Sequence, residues 1–517
     1  MDALFGFLGG LELALQPELL IAAFLGALLG TTVGVLPGLG PIAGAALILP
    51  LTFNYSPAVA LIMIAGIYLG AQYGGSTTSV LLNIPGDTSA IVATFDGHQM
   101  AKKGRAGAAL TIMAVGSFIA GTIGLILLIF SAQFVARFAI NFGPAEYFAM
   151  TAGGLLLLAR ITGGSLASGL LPMILGIAMA TVGMEMATSY FRFTFGNLNL
   201  ALGFSIATVA VGLYGISELA YMLENKNRDA KPMKVRLRDL PPNKEEWRRS
   251  ITPWLRGSFI GFGFGLLPVP SATLSTFTSY KIEQSVSKYR KELGTGAVEG
   301  IAGPEAANNS AAIGSMVPVL VLGLPFSATL ALMLSAMIVQ GIQPGPLVME
   351  RHPDLFWSVI AAMVIANVML LVLNIPMVGL WAQVLRVPRH WLIPIIMLVA
   401  MIGAFSVTRN QIELWILFVV GIIGYLLRKL QFSLASFLIG LVLGPLIEKY
   451  FMQGLFIGRG DLGYFVAGPI SITIWSIVGV VFVAGLLLPI YRWVKARRAA
   501  ARGEVVEVKH AALSEID

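Results

Sequence analysis

Residues 34–41 read Gly34-Val35-Leu36-Pro37-Gly38-Leu39-Gly40-Pro41, and residues 265–270 read Gly265-Leu266-Leu267-Pro268-Val269-Pro270. Each stretch interrupts an apolar run. Two prolines and two glycines between Pro37 and Pro41 cannot continue a helix, since proline lacks the N–H and glycine loses the most backbone freedom. In hydrocarbon a broken backbone is tolerated only where protein or a water-filled cavity satisfies its polar groups. The stretch therefore reads as a binding-site hairpin tip whose freed N–H groups face an anion, or as a tight turn between two spans. Its recurrence in the second half favours the tip. A nucleotide-binding glycine loop does not fit, because no strand precedes it and the full spacing is missing.

The surrounding chain is apolar throughout. Of its 517 residues 57% are hydrophobic and 12% charged, and mean hydropathy is +0.83. Soluble domains carry about 25% charged residues. Blocks long enough to span a bilayer recur, most clearly at 106–135, 355–385 and 469–490, and no polar stretch remains for a soluble catalytic domain. Cysteine is absent, which excludes disulfides, thiolate metal sites and cysteine nucleophiles. His98, His352, His390 and His510 are far apart, so no metal site is expected beyond Na⁺ at polar groups. The net charge of +8 sits in short loops and does not form a nucleic-acid face. Residues 1–18 hold no Lys or Arg and carry Asp2, Glu12 and Glu18, so no cleavable signal peptide is expected.

Lys and Arg mark cytoplasmic loops. The 223–250 linker has nine of them against five acids, with Pro241-Pro242 marking a loop. The tail after Tyr491, Lys102-Lys103-Arg105, Lys288-Arg290-Lys291, Arg386/Arg389 and Arg428-Lys429 are expected on the same side. Threading spans between them places the N-terminus outside (periplasmic) and the C-terminus in the cytoplasm.

Around the linker the chain repeats. Gly34–Pro41 corresponds to Gly265–Pro270, Gly74–Ser79 to Asn308–Ser310, and Asn83–Ser89 to Gly323–Thr329. Matching loops carry opposite charge bias, so they lie on opposite sides: basic 102–105 matches near-neutral 343–354, and uncharged Asn54–Pro57 matches basic 281–291. The expected fold is an all-α polytopic membrane protein of about 11–12 transmembrane spans, in two inverted-topology repeats whose broken or re-entrant helices meet near the midplane. The expected divisions are a first repeat at 1–222, a cytoplasmic basic linker at 223–250, a second, inverted repeat at 251–468, an extra transmembrane helix at 469–491 and a cytoplasmic tail at 492–517. The hairpins at 19–53 and 253–280 read as re-entrant or as pairs of short spans. Glycine rows Gly26/Gly30/Gly34 and Gly66/Gly70/Gly74 place small residues on one helix face and predict close packing.

Two polar islands lie in this apolar background. Ser76, Thr77, Thr78, Asn83, Asp87, Thr88 and Ser89 form the first; Asn308, Asn309, Ser310, Ser327 and Thr329 form its counterpart. Hydroxyls, amides and freed carbonyls can coordinate Na⁺, while N–H groups and hydroxyls can hold carboxylate oxygens. A single Ser or Thr reads better as an interhelical hydrogen bond; both islands together read as a substrate and cation site, with Gly38 and Gly40 at the hairpin tip. Asp87 and Glu305 are the acids expected at depth, where ionisable groups are costly and usually functional, although Asp87 also fits a loop near the surface. Asp96 and His98, close to the basic loop, read as interfacial. No Lys or Arg precedes Lys102, and none lies between Lys291 and Arg351. An anion bound at the islands must be neutralised by helix N-termini and a co-bound Na⁺ or H⁺, unless Arg160 or Arg409 reaches in.

At Gly34–Pro41, Tyr73–Lys103 (YGGSTTSVLLNIPGDTSAIVATFDGHQMAKK), Arg192–Gly196 and Gly300–Gly345 (GIAGPEAANNSAAIGSMVPVLVLGLPFSATLALMLSAMIVQGIQPG), the chain resembles the large membrane subunit of the tripartite tricarboxylate transporter family. The resemblance implies a small membrane subunit and a periplasmic solute-binding protein as partners. It also implies di- or tricarboxylate substrates, and uptake into the bacterial cytoplasm across the inner membrane driven by an ion gradient. Phe326 departs from the pattern, which has a small residue there. No cofactor is expected besides the coupling ion, Na⁺ or H⁺. The oligomeric state is open, a homodimer among the options. An intramembrane enzyme would need a paired nucleophile and base or two acids at helical spacing, and neither is found. A channel and a single-component carrier without a binding protein are the remaining alternatives.

Overall fold

The computed structural model describes residues 2–36, 39–162, 166–185, 189–224, 233, 235 and 237–483, so Gly38 and the 492–517 tail lie outside the described residues. The chain is almost wholly helical. In order come α1 (Asp2–Ala14), α2 (Pro17–Val35), α3 (Gly40–Thr52), α4 (Pro57–Leu82), α5 (Ile91–Lys102), α6 (Ala106–Ala139), α7 (Pro144–Thr162), α8 (Leu166–Ala180) and α9 (Ile206–Glu224). After the basic linker come α10 (Lys244–Gly265), α11 (Ser271–Val286), α12 (Glu299–Gly314, prolonged by a π-turn Pro318–Leu322), α13 (Ala328–Val339), α14 (Pro353–Asn374), α15 (Val378–Val384), α16 (Arg389–Thr408), α17 (Ile412–Lys429), α18 (Leu434–Ile457) and α19 (Pro469–Val483). A two-residue hairpin pairs Gly183–Met184 with Phe191–Arg192. Among the described residues seven helices are long and apolar enough to cross a membrane. This is an all-α, multi-pass membrane protein.

The glycine rows fix the closest packing. A Cβ on Gly26, Gly30 or Gly34 of α2 would fall 2.4–2.6 Å from the carbonyl oxygen of Met63, Ile67 or Ala71 on α4. The rows advance in the same direction, so α2 and α4 run parallel with backbones in contact. A second row does the same: Gly257, Gly261 and Gly265 of α10 meet Gly303, Ala307 and Ala311 of α12. In both places a shorter helix returns after the Pro/Gly break. α3 has 13 residues and α11 has 16; at 1.5 Å per residue both fall short of the ~30 Å hydrocarbon core. Each hairpin therefore pairs a long helix with a returning one too short to cross the core unaided, as a re-entrant hairpin or a pair of short spans both require.

The spans α4 and α12 end alike. Each closes on a left-handed residue, Asn83 (φ 59°) and Gly323 (φ 71°), followed two residues later by Pro85 and Pro325. Glycine and asparagine take this conformation most readily. Each chain then reaches a 12-residue helix, α5 or α13. The two units run antiparallel. Lys103 Nζ, after α5, donates to Thr295 O before α12 at 2.6 Å. Gln340 Nε2, after α13, donates to Tyr55 O before α4 at 3.2 Å. In this register Gly314 takes the place of Gly74, so Asn308–Ser310 sits more than a turn ahead of the counterpart of 76–79, not opposite it as the sequence spacing suggested.

Basic segments expected on one side are in mutual contact. Arg105 pairs with Glu246, and Arg249 with Glu299 and Glu292, both at 2.8 Å. Asp96, close to the basic loop, is fully buried within the protein and accepts from the N–H groups of Gly294, Gly296 and Ala297 and from Tyr280 Oη, at 2.7–3.0 Å. His98 is buried too, its Nδ1 3.0 Å from Val80 O.

Candidate functional site

Four irregular segments converge at the centre: the tips of the two hairpins, the 83–90 loop and the 323–327 loop. The first tip lies on α4, where Thr78 Oγ1 donates to Val35 O at 2.7 Å. The 83–90 loop folds back onto the same place, because Gly86 leaves no room for a side chain against Gly75 and Gly34 O. Gly40, at φ 59°, stands next to Gly86. The second tip is tied by Ser271 to Ser315, 2.8 Å between hydroxyls. The two halves touch directly where Thr88 meets Thr273 at 2.9 Å.

The loops present their polar groups through helix caps. Asp87 Oδ1 accepts from Ala90 N–H at 2.9 Å and from Ser89 Oγ at 2.7 Å, and Ser89 Oγ also lies 3.4 Å from Gln72 Oε1. Ser327 caps α13 by accepting from Leu330 N–H at 3.3 Å. Buried Tyr68 stands between them, interacting with Asp87, Ser315 and Ser327. Thus α5 and α13 both start at the centre, one behind an acid and the other behind a neutral hydroxyl. Phe326 occupies the position matching Gly86. It is buried, its ring 3.1 Å from where a Gly154 Cβ would stand, beside Pro268.

A second group lies alongside. Glu305 of α12 is 4% exposed. Its Oε2 accepts from Ser76 Oγ at 2.5 Å, and its Oε1 from Ser117 Oγ at 2.9 Å and Asn309 Nδ2 at 3.0 Å. Asn309 Nδ2 also donates to Ser117 Oγ at 2.7 Å. Tyr73 Oη donates to Asn367 Oδ1 at 3.3 Å, and Asn367 Nδ2 to Phe118 O at 3.0 Å, closing the wall between α4, α6 and α14.

The expected residues thus separate. Ser76, Glu305 and Asn309 share one network; Asp87, Ser89, Ser327 and Thr88 line the convergence of the loops. Thr78 and Ser310 use their hydroxyls on backbone carbonyls, Ser310 on Ser258 O at 2.6 Å, and so secure hairpin packing. Thr77 and Thr329 are buried in their helices, while the Asn83 side chain is exposed at its turn. Asn308 is buried with its Oδ1 unpartnered among the described residues. Arg409 is exposed at the end of α16, and the Arg160 side chain is outside the described residues. Sequence reasoning missed Tyr68, Gln72 and Ser117, isolated polar groups on apolar helices, and Ser271, Thr273 and Ser315, which no local pattern distinguishes from the neighbouring hydroxyls of the second hairpin.

Residues 20–439 match the tripartite tricarboxylate transporter TctA family. The chain belongs to this family. It is a membrane component of tricarboxylate transport, one part of a tripartite system, in a family of transporters. A relative described as an uncharacterized 52.8 kDa protein in the TAR-I ttuC′ 3′ region of Agrobacterium vitis is 43% identical over 492 residues, 95% of this chain and 98% of its own. A second Agrobacterium vitis relative, from the TAR-II ttuC′ 3′ region, is 43% identical over 228 residues, 44% of this chain and 94% of its own. No solved structure matches. The TctA family match takes in both hairpins, both loops and Glu305.

Proposed function

We propose that this TctA family chain is the carrier subunit of an ion-gradient-driven uptake system in the bacterial inner membrane. A periplasmic binding protein delivers a small di- or tricarboxylate to the centre of the chain, a small membrane subunit accompanies it, and a cation crosses in symport. The N-terminus lies in the periplasm and the C-terminus in the cytoplasm. The halves 1–222 and 251–468 are inverted repeats about the cytoplasmic linker, and alternating access moves part of each half against the rest.

The observation that carries this reading is the antiparallel pair α4–α5 and α12–α13, with a hairpin tip reaching each loop. Paired broken elements of opposite direction are how secondary carriers build a midplane site. The unequal caps suggest a division of labour. The N-terminus of α13, behind neutral Ser327, suits a substrate carboxylate, whereas the Asp87 carboxylate would repel one. Reconstitution tests the proposal: labelled citrate uptake into proteoliposomes holding this chain, with the binding protein and small subunit each present or omitted, under a sodium or an acid gradient. Accumulation that needs neither a gradient nor the binding protein would count against it, as would full activity in both Asn83→Ala and Asn309→Ala.

A further inference from the structure

Glu305 has an unusual set of partners for a buried acid. Its three side-chain donors are all uncharged and come from three helices, Ser76 on α4, Ser117 on α6 and Asn309 on α12. The titratable groups facing it are Tyr73 on α4 and Asp87 in the loop, neither of them a cation. Arg256 on α10 and Glu283 on α11 are occupied with each other, at 2.6 Å. Among the described residues no positively charged side chain reaches the carboxylate, so a proton is the simplest cation to balance it.

The two oxygens are not equivalent. At Oε1 both donors are committed. Ser117 Oγ accepts from Asn309 and donates to Oε1, and Asn309 Nδ2 also points at Glu305 O, at 3.2 Å, which fixes the amide orientation. Among the described residues Ser76 is the one side-chain partner of Oε2, and Ser76 has a second acceptor within reach, Gln72 O at 3.4 Å.

We propose that Glu305 is the proton-binding residue of the transport cycle, taking the proton on Oε2 with Ser76 as the switching partner. This rests on the symport reading above and names its ion. A proton from water on the open side bonds to Oε2. The Ser76 hydroxyl hydrogen turns from Oε2 to Gln72 O, and the Ser76 oxygen accepts the new O–H. Facing the other side, the proton returns to water and Ser76 turns back. One proton is moved and no heavy atom need shift. Sodium fits the cluster less well: the Asn309 amide N–H points inward, and turning that amide would set its Oδ1 against Glu305 O.

Infrared difference spectroscopy on the full chain in lipid, during an acid titration, tests this without any substrate. The wild type should show the C=O stretch of a protonated carboxyl. Glu305→Gln should lose that band, and Ser76→Ala, which removes the acceptor of the acid's O–H, should move it to higher frequency. The Ser76→Ala shift remains diagnostic if Glu305→Gln does not fold. An unchanged band in Glu305→Gln overturns the proposal, as does loss of the wild-type band on adding sodium chloride but not choline chloride at fixed pH. A Glu305-dependent band in a protein that takes up no citrate supports the proton site and overturns the carboxylate reading instead.

Discussion

Gly86→Ala should cripple transport while leaving the helices intact. The glycine marks the point where the 83–90 loop lies on α4 and on the first tip. A Cβ there would stand 2.4 Å from Gly75 Cα and 2.9 Å from Gly34 O, both backbone atoms, whereas ordinary contact begins at 3.4 Å. The loop must withdraw by about 1 Å, carrying Asp87 and Ser89 with it, and overpacking of this kind costs about 1–3 kcal/mol. Set against the loop geometry that binds substrate, this corresponds to roughly 5–150-fold weaker uptake. The assay is initial-rate citrate uptake in proteoliposomes at equal incorporated protein, with Gly9→Ala as control because nothing lies within 4 Å of its Cβ. If Gly86→Ala matches Gly9→Ala in rate, the placement of the loop against the tip is wrong. Phe326→Gly, at the matching position, opens space and should relax substrate size selection without that loss.

Four further outcomes are expected. Asp96→Ala strips four donors of a fully buried acceptor and should destabilise the chain by roughly 3 kcal/mol, read as a lowered thermal midpoint in detergent, whereas exposed Asp354→Ala should not. Arg256→Ala leaves Glu283, 0% exposed, unpaired; adding Glu283→Gln should restore part of the lost stability in a double-mutant cycle, and strict additivity would refute the pairing. Since the chain has no cysteine, Thr88→Cys with Thr273→Cys should cross-link under mild oxidant, their hydroxyls being 2.9 Å apart. Uptake should then stop until a reductant is added, and undiminished uptake in the fully cross-linked protein would contradict movement between the halves. Cysteines at Gly104 and Tyr55 should label from opposite faces of the membrane, Gly104 from the cytoplasm.

What the sequence disclosed was local. The Pro37–Pro41 break and the glycine rows follow from backbone chemistry within a few residues. What stayed hidden was set by contacts between distant segments. Ser117 is one hydroxyl in a long apolar helix, and only the crossing of α6 over α12 brings it to Glu305. Asp96 read only as interfacial beside a basic loop, because nothing nearby in sequence shows that 294–297 folds over it. The mismatch between the islands has the same origin: charge and spacing aligned the halves to within a few residues, and the glycine contacts fixed the register.

The connector preceding α12, residues 287–298, is longer than its counterpart at 53–56, and it is this extra segment that Asp96 holds. The matched ends of the molecule are therefore fastened unequally. Lys103, Arg105, Arg249 and Asp96 bind one end with ion pairs and a buried carboxylate, while the Gln340–Tyr55 hydrogen bond joins the other. A carrier built from like halves need not rest midway between its two orientations. Among the described residues the Tyr55 end carries fewer polar ties, so the unloaded chain should open more readily there, at the end expected to face the periplasm, ready to receive substrate before it has spent any gradient.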